Sequence, residues 1–457
     1  MRYCRHGAVV LSLLALAAPA AAQEAPPIAY ETFTLENGLR FIVHEDHSTP
    51  VVAVDVWYDV GSAHEPAGRT GFAHLFEHML FQETKNLKKG EFDRLVRSAG
   101  GTLNGTTSED RTAYFETLPS NRINLALWLE AERMAQLAVT QQNFEREREV
   151  VKEERRLRVE NQPYGESFMV RDSVANDYQP YNHHPIGSMA DLDAATPDDV
   201  HAFYKQFYVP NNATIVVAGD VDVPQVKELA GQYFGWIPRG LERAPLPEPP
   251  PVPRLDGERR VTVEDKLANT PLFQSAYTIP GHGHPDTYAL QLLTSIFGEG
   301  ESSRLHQRLV KDEKAALGIF SGSNSRIGPG LFYLIALPNQ GVPIERIEAL
   351  INDEVEKLIR EGVPERELRK AKNQLRAGMV MDRLRVQSKA EALHHYRLLH
   401  GDVAQVNTDL DRYTAVTPAQ IVEAARKYLA PANRTVVIVL PAQKAAAAGA
   451  TPMPAGK

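Results

Sequence analysis

Cysteine is almost missing: the chain of 457 residues has one, Cys4. A lone thiol cannot close an internal disulfide, so a disulfide scaffold is excluded. An excess of basic charge is also missing. There are 50 Lys and Arg against 58 Asp and Glu, a formal net charge of -8. That excludes a nucleic-acid binder driven by phosphate neutralisation. Beyond the N-terminal segment no run of about 18 apolar residues occurs, so no later segment is expected to span a membrane. No G-x-S-x-G elbow is present, which removes the most familiar rival nucleophile. What is there is globular: 43% hydrophobic and 24% charged residues. Disordered and collagen-like classes are therefore excluded. At about 100–200 residues per domain, the length predicts two or three domains.

The N-terminus carries Arg2 and Arg5, an apolar run from Ala8 to Ala18, and Ala20-Ala21-Ala22 before Gln23. A basic start, a short apolar stretch and an A-x-A site predict a signal peptide over residues 1–22 and a periplasmic or secreted product. An uncleaved anchor is the alternative. Cys4 precedes the apolar run, so it is not placed as a lipid-anchor Cys. Cleavage removes two basic and no acidic residues, giving a Cys-free mature chain of net charge -10 by the counts of the full sequence. Such a chain must draw its stability from burial and, where present, a metal.

A Pro-rich stretch, Leu241–Arg254, divides the rest. Prolines supply no backbone donors, so residues 241–257 are expected to be a semi-rigid linker. The expected domains are 27–240 and 258–441, followed by a disordered Ala/Gly/Pro-rich tail, 442–457. The two halves look related. Thr196–Val217 (TPDDVHAFYKQFYVPNNATIVV) aligns without a gap with Thr417–Ile438 (TPAQIVEAARKYLAPANRTVVI). Each copy reads as a Thr N-cap, Pro at the first helical position, an amphipathic helix, a Pro/Asn turn and a β-branched strand. Duplication explains this better than chance. Strands are expected at Val51–Val60, Thr112–Thr117, Ile215–Ala218, Leu331–Leu337 and Thr435–Val439. Helices are expected at Arg122–Leu137, Phe144–Val159 and Pro343–Arg360. Without strict βαβ alternation, the fold class is α+β with mainly antiparallel sheets.

The sharpest chemical feature is His74-Leu75-Phe76-Glu77-His78. On a helix, i, i+3 and i+4 share a face, so His74, Glu77 and His78 project together. Two imidazoles one turn apart can reach one zinc ion, and a carboxylate beside them can take the proton of an attacking water. This is the inverse of the H-E-x-x-H order. The alternative is a pair of packed histidines salt-bridged to Glu77. A catalytic zinc needs a third protein ligand, and Phe144–Glu154 offers candidates. Alternating charge there usually means a solvated helix face. Glu147, Val150, Val151 and Glu154, however, form one stripe at i, i+3, i+4 and i+7. An acid on an apolar stripe is costly unless a cation compensates. Glu154 is therefore the expected ligand and Glu147 a supporting or alternative carboxylate, whereas Glu149, Glu153 and Arg156 face outward.

The segment GSAHEPAGRTGFAHLFEHMLFQET, followed 76 residues after His78 by Glu154, resembles the M16 metallopeptidases, the pitrilysin, insulysin and mitochondrial processing peptidase group. The resemblance extends over the mature chain and is closest to the short bacterial type. It implies a clamshell of two homologous domains, each a sheet flanked by helices, with a silent second half. It implies one zinc ion per chain, held by His74, His78 and Glu154, with Glu77 as general base and Glu147 in support. Ser98–Ser108 matches the edge strand that pairs with substrate in that family, so Gly101 and Asn104 are implied to bind substrate. Read locally, Asn104-Gly105 is instead a hairpin turn, and the family usually has Ala where Gly105 stands. In the second half, Gly298–Leu305 resembles a segment that supplies a substrate-contacting Arg, here Arg304. Ile319 stands where the family usually has Tyr, and Ile cannot donate a hydrogen bond to a substrate carbonyl. Paired subunits of the family can divide these parts, so a homodimer, or a heterodimer with an M16-like homologue, is implied.

Other histidines are expected to be bland. Gly281-His-Gly-His284 reads as a surface loop. His183-His184 and His394-His395 read as helical pairs pointing apart. The expected function is an exported zinc endopeptidase acting on peptides or unfolded segments through a metal-activated water. The competing readings are a non-catalytic scaffold subunit and a metal-dependent peptide-binding protein.

Overall fold

The computed structural model describes residues 27–324 and 326–442. The expected signal peptide, and all of the expected tail except Ala442, lie outside the described residues.

Eleven strands form two sheets among the described residues. The first holds β1 (Glu31–Thr34), β2 (Arg40–Glu45), β3 (Val51–Tyr58), β4 (Thr102–Thr107), β5 (Thr112–Pro119) and β6 (Ala213–Gly219), in the order β1-β2-β6-β3-β5-β4. The second holds β7 (Arg259–Asp265), β8 (Leu272–Ile279), β9 (Ala316–Ser323), β10 (Gly330–Pro338) and β11 (Arg434–Pro441), in the order β7-β11-β8-β10-β9. Pairing β2 with β7, β6 with β11, β3 with β8, β5 with β10 and β4 with β9 superposes the two orders. The sheets are mainly antiparallel, with one parallel pair each, β2–β6 and β7–β11. This is the α+β class expected.

The repeated segment has the same structure twice. Thr196 and Thr417 each close a capping box on helices Pro197–Phe207 and Pro418–Tyr428. A short 3₁₀ turn follows each, ending at Asn212 and Asn433. The two amides donate to Phe207 O at 2.8 Å and to Tyr428 O at 2.7 Å, tying helix end to strand start in both halves.

The central strands are buried on both faces, for a reason that crosses the halves. In β3 and β6, Val52, Val54, Val56, Ile215 and Val217 enter the core of the first half. Alternate residues Ala53, Val216 and Ala218 face the other way and pack on Val386, Ala390, Leu393 and Tyr396. Three of those belong to helix Val386–His395 of the second half, and Tyr396 opens the π-helical turn that follows it. The exchange is reciprocal: Ala175, from helix Gly165–Ala175 of the first half, packs on Ala276 and Leu331 of the second sheet. Loops lock the halves further. Ile327 N donates to Asp110 Oδ2 at 2.9 Å and Gly328 N to Tyr181 Oη at 2.9 Å. Residues 241–257 contain no helix or strand and run as an extended connection between the sheets.

Three local expectations change. Asn104-Gly105 lies mid-strand in β4, paired with Phe115 and Tyr114, and is not a turn. The wide pairing with β5 outweighs the local turn preference. His183 and His184 lie in a loop rather than on a helix. Gly281–His284 is a loop as expected, with Gly283 and His284 exposed, but His282 is half-buried and packs against His395 and His400.

Candidate metal centre

The helix Phe72–Met79 carries His74, Glu77 and His78. Its other face is apolar: Phe72, Ala73, Leu75, Phe76 and Met79 are buried and fix it in the first core. Its N-terminus has an unusual cap. Gly71 adopts φ 92°, a left-handed conformation suited to glycine, and brings no side-chain cap. Glu65 supplies one from the preceding loop. Its carboxylate accepts from Gly71 N at 3.0 Å and Ala73 N at 2.7 Å. His183 Nε2 lies 3.0 Å from the same carboxylate. Burial pushes Glu65 up, against the hydrogen bonds that hold its charge.

The second helix, Gln141–Arg155, starts at a Thr140 cap and continues as a π-helical turn, Arg156–Glu160. It brings Glu154 to the histidines. Glu154 Oε2 lies 3.1 Å from His78 Nε2 and 3.7 Å from His74 Nε2. One donor atom from each of the three lies within 4.8 Å of the others. Ligands at about 2.0–2.2 Å from a tetrahedral zinc stand about 3.3–3.5 Å apart, and the two Glu154–imidazole separations, 3.1 and 3.7 Å, bracket that spacing, so small adjustments fit the set to such an ion. The stripe is only partly as expected. Glu147 is 5% exposed and Val151 0%, but Val150 is 43% exposed, so the apolar face is narrower than its spacing suggests. Glu147 Oε2 stands 3.9 Å from His78 Nδ1, and Glu147 Oε1 accepts from Arg146 at 3.2 Å, which suits a supporting carboxylate. Glu149 and Glu153 are exposed and pair with Lys152 and Arg156.

The charges are tuned by place. Burial and the neighbouring His78 lower His74 to about 4, keeping its lone pair free. At His78 burial disfavours the charged form, but the hydrogen bond and charge of Glu154 outweigh it and raise the pKa. Glu154 is correspondingly lowered, first by that hydrogen bond. Burial raises Glu77, while the Thr107 hydroxyl, donating to Glu77 Oε2 at 2.6 Å, opposes the rise.

These side chains open on a cavity of about 970 Å³. Its walls include β4 from Asn104 to Thr107, with Phe81, Arg158 and His184. β4 is an edge strand of the first sheet, paired with β5 on one side only, with β1 at the opposite edge. A Cβ on Gly105 would lie 2.9 Å from the Phe81 ring and 3.1 Å from Glu77 Cγ, so this glycine leaves room beside Glu77. Gly101 does not line the cavity. It precedes β4, where a Cβ would meet Leu118 at 2.7 Å and Thr117 O at 2.8 Å. Arg304 does not line it either; Glu367 accepts from its guanidinium at 2.8 Å, Gly362 O at 2.9 Å, and Glu354 lies 3.6 Å away. Ile319 sits in β9 opposite Ala336 and packs on the second core. Sequence reasoning missed Glu65 and Thr107. Glu65 could have been suspected only as an acid shortly before an uncapped helix, and Thr107 is brought in by the sheet alone.

Comparison with known proteins bears on the fold and the family. Residues 40–183 match the family model described as Insulinase (Peptidase family M16), and residues 194–375 match the Peptidase M16 inactive domain. A relative named zinc protease PqqE, from Helicobacter pylori, is 33% identical over 414 residues, covering 90% of this chain and 93% of the relative. A probable mitochondrial-processing peptidase subunit beta from Schizosaccharomyces pombe is 28% identical, covering 77% of this chain and 78% of that one. The crystal structure of a protease from Helicobacter pylori is similar with a TM-score of 0.86 at 32% identity, over 91% of this chain and 100% of that one. The periplasmic protease PqqL from Escherichia coli shares the fold, with a TM-score of 0.74 at 20% identity, over 92% of this chain and 48% of that one. On its sequence and its two-sheet clamshell, the chain belongs to the M16 peptidase family.

Proposed function

We propose that this chain is an exported zinc-dependent endopeptidase that hydrolyses peptides or unfolded protein segments. The observation that carries the reading is the convergence of His74, His78 and Glu154 beside Glu77, in a cavity bordered by the unpaired edge of β4. His74, His78 and Glu154 would hold the metal, one ion at this centre. When bound, zinc polarises a scissile carbonyl and acidifies water. Glu77 accepts the water proton and later delivers it to the leaving amine. Thr107 holds one Glu77 oxygen, leaving the other to face the cavity. Glu147 keeps His78 oriented. The backbone of β4, with Asn104 at its centre, accepts an extended segment by strand addition, which selects unfolded substrates rather than a side-chain code. Gly101 acts behind it, by letting the chain enter β4 close against β5. Arg304, expected to contact substrate, would do so on release from Glu367 and Glu354, which engage it here.

Export rests on the basic-apolar-small order of residues 1–22, with a periplasmic or secreted location following from it. Among the described residues no helix is long and apolar enough to cross a membrane. We place the domain boundaries at 27–240 and 258–441, around the 241–257 linker. The second sheet has the architecture of the first, but helix Pro285–Gly298, between β8 and β9, carries no histidine. With Ile319 in place of the family's Tyr, and Arg304 engaged within its own half, the chain fits the zinc subunit of a homodimer or of a heterodimer with an M16-like homologue. A scaffold or peptide-binding role is the alternative reading.

Glu77→Gln tests the central assignment. Zinc content near that of the wild type, with hydrolysis of an unfolded peptide mixture lost by about three orders of magnitude or more, is expected of a general base acting beside the metal. Unchanged hydrolysis removes Glu77 from the reaction and favours the alternative.

A further inference from the structure

Three histidines far apart in sequence meet on the second half. His282 follows β8, His395 ends helix Val386–His395, and His400 ends the next turn. The His282 ring lies 4.8 Å from the His395 ring and 4.2 Å from that of His400, centroid to centroid, with both pairs near perpendicular. His282 Nε2 and His400 Nε2 are in hydrogen-bond contact. One nitrogen from each residue lies within 4.8 Å of the others, a limit that the His74, His78 and Glu154 centre also meets. His282 Nδ1 is buried without a hydrogen-bond partner.

We propose that His282, His395 and His400 form a second metal site, which takes a divalent transition ion through three imidazoles. The donor chemistry sets the class. Three neutral nitrogens and no carboxylate suit zinc, nickel or copper and reject magnesium and calcium. A cluster of three imidazoles gains little as packing, because their polar edges face one another. An ion replaces the proton that His282 and His400 would otherwise share. Burial, with repulsion from the neighbouring rings, lowers His282 to about 4 and His395 to about 3, so both rings are neutral at pH 7 and each keeps one nitrogen lone pair to offer an ion. A route in exists: His395 also lines a cavity of about 480 Å³, with Trp57 and Arg111 on the first half and Tyr396 on the second.

The placement gives the ion a task. His394, beside His395, stacks on Trp57 at 4.7 Å and its Nε2 lies 2.8 Å from Asp55 O. Arg397, three residues before His400, pairs with Asp59. The segment that supplies two of the ligands is therefore the one that covers the first sheet. An ion joining it to the loop after β8 would fasten the helix that bridges the halves, in a chain whose mature part has no cysteine. The expected metal count rises from one to two per chain.

The test uses the full chain, stripped with chelator and titrated with zinc alone, and separately with nickel alone, by calorimetry and metal analysis. Wild type should bind two zinc equivalents. His74→Ala/His78→Ala should bind one, and adding His282→Asn should abolish it. His282→Asn alone should bind one equivalent and retain hydrolysis, and adding it to the His74→Ala/His78→Ala chain should remove the rise in melting temperature that nickel gives that chain. Should His282→Asn fail to fold by circular dichroism, His400→Gln takes its place. One zinc equivalent in wild type, or none in folded His74→Ala/His78→Ala with either metal, overturns the proposal.

Discussion

Glu65→Ala should loosen the metal centre without touching a ligand. The carboxylate accepts from Gly71 N and Ala73 N at 3.0 and 2.7 Å and is itself fully buried. Both amides belong to buried residues, so removing the acceptor leaves two donors unsatisfied. Each costs about 1–3 kcal/mol. Relief from burying the carboxylate, which raises its pKa, offsets part of this. The expected net cost is about 2–4 kcal/mol, above the ~1 kcal/mol typical of an exposed cap. Glu65→Gln keeps the shape and one acceptor and should cost about half as much. The damage should be local, since His74 directly follows Ala73. Hydrogen exchange at Gly71 and Ala73 should accelerate about thirtyfold or more, for 2 kcal/mol or more of lost protection, and zinc affinity should fall at least about tenfold because binding must re-form the first turn. Exchange within a factor of about two of wild type, with unchanged zinc affinity, would refute the cap's role.

Two further outcomes follow from the same region. Gly105→Ala should be tolerated, because the Phe81 ring edge, 2.9 Å from the new Cβ, can swing away; Gly105→Val should crowd Glu77 as well and lower kcat about tenfold or more, while Gly105→Val at wild-type kcat would show that Glu77 has room to spare. At His183, burial opposes protonation, but the hydrogen bond and charge of Glu65 raise the pKa above the ordinary 6.5. The stability it contributes is therefore fully present below pH 6.5 and lost as pH rises through the raised folded value. Denaturation midpoints should fall over that window in wild type and flatten in His183→Gln; identical pH profiles would contradict the pairing.

Much of this was legible in the chain, because helical spacing and β-branched runs are local signals. His74, Glu77 and His78 fall on one face since i, i+3 and i+4 must. Glu154 was separable from Glu149 and Glu153 because its stripe includes Val151. The duplicated Thr196 and Thr417 segments carry their own caps, and both fold as read. What was not legible depends on distant partners. Val150 lies on the same stripe as Val151 yet is 43% exposed, which its spacing does not reveal. Asn104-Gly105 is extended because β5 pairs along its whole length. Arg304 is held by Glu367 and Glu354, and no spacing rule announces either. His282, His395 and His400 are joined by tertiary packing across more than a hundred residues. The expected signal peptide, residues 1–22, rests on the residue pattern alone and lies outside the described residues.

The central claim is that one ion is gripped by His74, His78 and Glu154, and anomalous diffraction from crystals grown with zinc tests it most directly. The account predicts a peak about 2.0–2.2 Å from His74 Nε2, His78 Nε2 and a Glu154 oxygen together, with Glu77 beside it but not bound. A fully occupied ion coordinated by Glu147 or Glu153 in place of Glu154, or no peak within reach of both imidazoles, would contradict it.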